Sequence, residues 1–139
     1  MNAPVGRVWR ALTNHEEFGQ WFRVNLHGPF RVGEVSTGQM TYPGYEHYRW
    51  HAVVQAMEPE RLFAFAWCPY ADNPDADYSR EPQTLVEFRL EPTPDETRLH
   101  LSESGFAALP DDARRVDALR MNTEGWKAQA RNIAAHVEA

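Results

Sequence analysis

Hydrophobic positions recur at two different periods along the chain, and the change from one to the other divides it into regions. In "APVGRVWRALT", Val5, Val8, Trp9 and Leu12 fall at i, i+3, i+4 and i+7, which predicts an amphipathic helix with Pro4 in its first turn. Gly6 inside that stripe costs the helix about 1 kcal/mol against alanine. In "TNHEEFGQWF", Thr13 stands three residues before Glu16, a capping-box spacing that predicts a second short helix ending near Trp21 and Phe22. From residue 30 the period becomes 2. The stretches "FRVGEVSTGQMTY", "YRWHAVVQAM", "RLFAFAW", "TLVEFRL" and "TRLHLSES" read as five strands, divided by turns such as "PG", "EPE" and "EPTPDE". Turns that short predict an antiparallel meander. The final stretch, "PDDARRVDALRMNTEGWKAQARNIAAHVE", predicts a long helix opened by Pro110, with two aspartates in the first turn where negative charge suits the helix dipole. Its inward stripe is Val116, Leu119, Thr123, Trp126, Ala130, Ile133 and Val137. Thr123 and Ala130 are small and flank the large Trp126, so a void is expected on the sheet side of this helix.

Strand parity separates a covered face from a wet one. Val86, Phe88 and Leu90 point one way and Glu87, Arg89 and Glu91 the other; Leu99 and Leu101 oppose Arg98 and His100. This is the pattern of an antiparallel sheet covered on one side only. In the third region the better apolar set is Tyr48, Trp50, Ala52, Val54 and Ala56, leaving His47, Arg49, His51 and Gln55 outside. "RLFAFAW" is apolar on both faces; Phe65 and Trp67 are assigned inward, with Phe63 as deeper core. Bulky aromatics on a curved sheet, under a helix that presents Thr and Ala, can wall a cavity as readily as fill one. The candidate ligand-binding set is therefore Trp21, Met40, Tyr48, Trp50, Phe65, Trp67, Phe88, Leu101 and Trp126. The helical spacing of Trp9, Trp21 and Trp126 also fits plain core packing.

Composition narrows the class. A chain of 139 residues makes one domain, residues 1–139, and buries roughly two thirds of the surface its unfolded form exposes. Cys68 is the single cysteine, so neither an intramolecular disulfide nor a thiolate zinc cluster is expected, and a reducing, cytoplasmic setting fits. Beside Pro69 and without a nucleophile pattern, Cys68 reads as a small buried hydrophobe. No apolar run reaches the ~18 residues of a membrane span, and "MNAPVGRVWR" lacks the build of a signal peptide. A net charge of −6 argues against sequence-independent binding to nucleic acid. Five Trp, five Tyr and seven Phe leave aromatic surface as the outstanding chemical resource.

Polar candidates are fewer. His47 and His51 lie four apart on a strand, ~13 Å at ~3.3 Å per residue, too far to share an ion. Asp72, Asp75 and Asp77 resemble a calcium loop, yet its sixth position is Asp77 where glycine is needed and its twelfth is Gln83 where glutamate is needed. Cross-strand pairing on the wet face accounts for Glu87, Arg89, Arg98 and His100 more simply than an acid/base group does. Glu103 shares the parity of Leu99 and Leu101, which would aim it with Glu46 at the mouth of the pocket as an acid or base, unless the strand end is simply wet. No "GxSxG", "HExxH" or phosphate loop is present, and neither a cofactor nor a metal is expected.

The order helix, short helix, antiparallel strands and long C-terminal helix resembles the helix-grip fold of the START-type or SRPBCC superfamily. More closely, "APVGRVWRALTNHEEFGQWF", "VVQAMEPERLFAFAW", "TLVEFRLEP", "TRLHLSESGF" and "EGWKAQARNIAAHVE" resemble the successive signatures of the family named for homology to the activator of heat-shock protein 90 ATPase. The likeness covers nearly the whole chain in order. It implies an α+β fold in which a curved antiparallel sheet wraps the long C-terminal helix around an internal pocket. Two departures stand out. With "NAP" where "DAP" is often seen, either the family's first strand lies upstream of Met1, or the domain lacks it and exposes a sheet edge, through which a strand-mediated homodimer could form. "CPYADNPDADYSREPQ" replaces what is often a shorter turn, as a lid or a mobile connection would. Three roles follow: binding of a small apolar or aromatic ligand between sheet and long helix, favoured because walls are present and a catalytic set is not; a cochaperone-like domain with a chaperone partner; and an enzyme of the cyclase or dehydratase kind, with Glu46 or Glu103 and Tyr48 as its acid/base groups.

Overall fold

The computed structural model describes residues 1–68, 82–108 and 113–139, with the side chains of the last segment described from residue 122 onward. The expected connection over residues 69–81 with Asp72, Asp75 and Asp77, the helix opening at Pro110, and the inward side chains of Val116 and Leu119 lie outside the described residues.

Pro4 precedes α1 (Val5–Thr13), which buries Val8, Ala11 and Leu12 and packs Val5 and Trp9 at the margin of the core. The second helix, α2 (His15–Phe22), is capped by Asn14 and not by Thr13: Asn14 Oδ1 accepts the backbone N–H groups of Glu16 and Glu17, each at 3.0 Å. Thr13 still belongs to α1, where its hydroxyl donates to the Trp9 carbonyl at 2.8 Å. The capping signal in the sequence was therefore displaced by one residue. Arg23 ends α2 in the left-handed region, φ 64°, and turns the chain directly into β1 (Val24–Leu26). That strand is three residues long, too short to show a period of 2, and the sequence reading passes over it.

Six strands form one antiparallel sheet in the order β1 to β6: β2 (Val35–Met40), β3 (Arg49–Glu58), β4 (Leu62–Trp67), β5 (Thr84–Pro92) and β6 (Thr97–Ser104) follow β1. A short 3-10 turn, Phe106–Ala108, precedes the long helix α3 (Ala113–Glu138). This is the expected α+β helix-grip arrangement. The first predicted strand, residues 30–42, shrinks to β2 because Arg31–Glu34 forms a turn with Gly33 at φ 83°, while Phe30 joins the core. Gly38 lets β1 lie close on β2, since a Cβ there would stand 2.6 Å from the Asn25 carbonyl oxygen.

A bulge between Val54 and Ala56 corrects the parity expected for β3. Val54 opposes Phe65, but beyond the extra residue Ala56 opposes Ala64 and Met57 opposes Phe63. One inserted residue exchanges the two faces, so Met57 packs against the core in place of Ala56.

The core lies under the centre of the sheet and is built mainly of rings. Phe18 of α2 has the rings of Trp21, Phe22, Phe30, Trp50, Phe63 and Phe65 within 6.5 Å, centroid to centroid. Phe63 stacks on its cross-strand neighbour Phe88 at 5.9 Å. Ile133 and Val137 bring the C-terminal part of α3 into the same cluster. A charged clasp holds the three helices: Glu17 meets Arg7 at 2.5 Å, Arg10 at 2.7 Å and His136 of α3 at 2.9 Å. Burial raises the Glu17 carboxyl, but the hydrogen bond from His136, then the bond and charge of Arg7 and the charge of Arg10, outweigh it and hold the group below the usual carboxylate range.

At the far edge of the sheet, the Met1 ammonium donates to the Thr97 carbonyl at 2.7 Å and Thr97 N–H donates back to the Met1 carbonyl at 3.0 Å. Past that pair, the outer edge of β6 has no strand partner among the described residues. No helix among them is long and apolar enough to cross a membrane.

Candidate functional site

Strand β6 alternates strictly: Arg98, His100, Ser102 and Ser104 are exposed, whereas Leu99, Leu101 and Glu103 are half-buried on the face toward α3. The helix facing them offers Asn122, Thr123, Trp126, Lys127 and Ala130, spaced at three and four residues along one side. Thr123 and Ala130 are smaller than the leucine or isoleucine that would fill such a position, and both line the space between the two elements. Between them lies an open groove of about 380 Å³, lined also by Phe106. The void expected beside Trp126 thus exists, at the β6 margin of the sheet.

Glu103 is the chemical centre of this groove. Its Oε2 accepts from the indole N–H of Trp67 at 2.8 Å, from Asn122 Nδ2 at 3.2 Å and from the Thr84 hydroxyl; its Oε1 accepts from the indole N–H of Trp126 at 2.8 Å. The donors come from β4, β5 and α3, so one carboxylate ties four elements together. Buried indole and hydroxyl groups require partners, and Thr84 is only 1% exposed. A carboxylate with about four lone-pair sites is the side chain that can serve them all. Among the described residues no Lys, Arg or His forms an ion pair with Glu103. Lys127 on the rim is paired with Glu124 at 3.5 Å, both well exposed.

Of the nine residues predicted to contact a ligand, the groove brings together Leu101 and Trp126. Trp67 stands directly behind them: its ring lies 5.6 Å from that of Trp126, and it shares Glu103. The others lie elsewhere. Trp21, Trp50, Phe65 and Phe88 are buried in the ring cluster, with Trp21 donating to the Ala11 carbonyl at 2.8 Å and Trp50 to the Ser36 hydroxyl at 3.0 Å. The physical reason is that Phe18, Phe22 and Phe30 occupy the space beneath the sheet centre that was expected to be open. Met40 is half-buried on β2, and Tyr48 stacks among Tyr45 and His47 in the β2–β3 connection. Glu46 is on that same connection, exposed, and accepts from the Gly44 N–H; it does not join Glu103 in the groove. Glu103, Leu99, Phe106 and Asn122 were missing from the predicted set, although the parity of β6 already placed Leu99 and Glu103 on the helix side.

His47 and His51 are exposed, and among the described residues no group of His, Cys, Asp and Glu side chains could hold a metal ion. Cys68 is half-buried.

Comparison with known proteins agrees with this architecture. No curated protein matches the sequence. Among solved structures, protein MLL2253 of Mesorhizobium loti is similar at a TM-score of 0.73 and 24% identity, covering 99% of this chain and 91% of that one. A protein of Arthrobacter aurescens matches at 0.77 and 20% identity, covering 99% and 81%. Protein CV1439 of Chromobacterium violaceum matches at 0.71 and 17%, covering 100% and 93%. At these identities the likeness establishes a shared fold. The model of the family described as "Activator of Hsp90 ATPase homolog 1-like protein" matches residues 2–138. With that match spanning almost every residue, the chain belongs to the Activator of Hsp90 ATPase homolog 1-like family.

Proposed function

We propose that the groove between β6 and α3 binds a small molecule with an apolar or aromatic body. One observation carries the reading: an open groove of about 380 Å³ has apolar walls from Leu99, Leu101, Phe106 and Trp126 and a few polar groups, Glu103 and Asn122 among them. Small-molecule sites have this composition, and volumes from about 300 Å³ upward accommodate drug-sized ligands. A native mass spectrum of gently purified protein tests it. A retained small-molecule adduct that vanishes on denaturation supports the proposal; recovery of the bare chain alone from every preparation counts against it.

A second reading, a domain that acts on a chaperone ATPase, draws on the description of the family and on a separate surface. Tyr42 and Tyr45 are about half exposed, and the Arg23 guanidinium lies 5.4 Å from the Tyr42 ring centroid. Tyrosine and arginine are the residues enriched where proteins meet. Capture of a chaperone ATPase and a change in its turnover, both lost on Tyr42→Ala with Tyr45→Ala, would favour this reading. We also propose a homodimer through the outer edge of β6, which has no strand partner among the described residues; the same mass spectrum weighs it.

A further inference from the structure

The chemistry around Glu103 narrows the class of ligand. Among the described residues its carboxylate receives four hydrogen bonds, three on Oε2 and one on Oε1, all from neutral donors. Neutral dipoles lower the cost of placing a charge against apolar walls, but they leave the charge itself in place. Oε1, with a single donor among the described residues, has a lone-pair direction that none of them uses. Among the described residues the nearest candidate for a countercharge in the groove is Lys127, whose side chain is 63% exposed and engaged with Glu124. The Trp126 indole turns its N–H edge to Oε1, so it stands as a neutral donor beside that oxygen and supplies no countercharge. The chain as a whole carries −6, which draws cations and repels anions.

Resting on the ligand-binding reading above, we propose that the groove takes an organic cation, a protonated amine attached to a flat or apolar body. The ammonium donates to Glu103 Oε1, while the body packs on Leu99, Leu101 and Ala130. Anionic ligands are rejected by the same carboxylate. A purely structural Glu103 would hold the four donors equally well and confer no preference between charged and neutral ligands, which makes the two roles separable.

The test uses two probes with the same ring system, naphthylmethylammonium and naphthylmethanol, titrated into the wild-type protein at neutral pH by calorimetry. The ammonium is expected to bind about tenfold more tightly or better, as a charge-assisted hydrogen bond requires, and its advantage should shrink as salt is raised. In Glu103→Gln the two affinities should fall within about twofold of each other. Equal affinities in the wild type would overturn the amine inference and leave the groove intact as a site for apolar bodies. Failure of both probes to bind would overturn the groove reading itself, and the inference with it. Because the decisive comparison is made on the wild type, it survives if Glu103→Gln does not fold. Ala130→Trp, which fills the groove from the helix side, should abolish binding of both probes; undiminished binding there would place the probes elsewhere and overturn the assignment.

Discussion

Two regions beneath the same sheet contrast sharply. Under β3, β4 and β5 the space is filled: Trp50, Phe63, Phe65 and Phe88 meet Phe18, Trp21 and Phe22 of α2 in a continuous set of ring contacts. Under β6 it is open, because the facing helix presents Thr123 and Ala130 on either side of Trp126. Both regions are lined with large apolar side chains. What separates them is the partner element, which brings phenylalanines in one case and small residues in the other. Aromatic richness on a strand therefore does not identify a pocket; the complementary face decides.

The contrast can be broken most forcefully in the filled region. Phe63→Ala or Phe88→Ala removes a fully buried ring and should destabilise the fold by about 3–5 kcal/mol, read from the midpoint of denaturant unfolding. Leu101→Ala in the half-buried groove wall should cost less than either, while weakening any ligand. If Leu101→Ala proves as costly as Phe63→Ala, the groove is not open in solution. Next in size is the polar seam between the two regions. Glu103→Leu strips Trp67, Asn122 and Trp126 of their acceptor and leaves the buried Thr84 hydroxyl only the long contact to the Trp67 carbonyl at 3.5 Å; a loss of about 1–3 kcal/mol is expected by the same measurement.

Smaller effects sharpen the account of how α2 is set in place to fill the core. Asn14→Ala should cost about 1 kcal/mol and Thr13→Ala clearly less, the reverse of what the capping-box spacing in the sequence implies. Glu17 makes the clasp dependent on pH. Its folded-state pKa lies below its unfolded value, so its contribution is fully present above the unfolded pKa and is lost as pH falls through the folded one. Glu17→Gln should accordingly flatten the acid side of a stability–pH profile.

Much of this was readable in the residues. The stripe in α1, the described part of the α3 stripe from Thr123 onward, the meander and the alternation on β5 and β6 are long enough for their periods to declare themselves, and Thr123 and Ala130 both line the groove. Three features were not readable, each for a local reason. Strand β1 has too few residues for a period, and the left-handed Arg23 that launches it is not a glycine. The β3 bulge reverses parity at Gln55 within a run that is apolar on both sides of it. The pocket was expected beneath Trp50 and Phe65 because strand parity reveals which way a ring points and not what stands opposite. Glu103 was aimed correctly by parity, but its four donors come from positions 19 to 36 residues away, beyond the reach of any local pattern.

The tryptophans supply the most direct test, since their indole N–H groups report on the two regions separately. In a nitrogen-15 indole spectrum titrated with naphthylmethanol, the resonances of Trp126 and Trp67, both bound to Glu103, should move, while those of Trp21 and Trp50 stay fixed on the Ala11 carbonyl and the Ser36 hydroxyl. Movement of Trp21 and Trp50 with the probe, or of none of the four, would contradict a closed aromatic core beside an open groove.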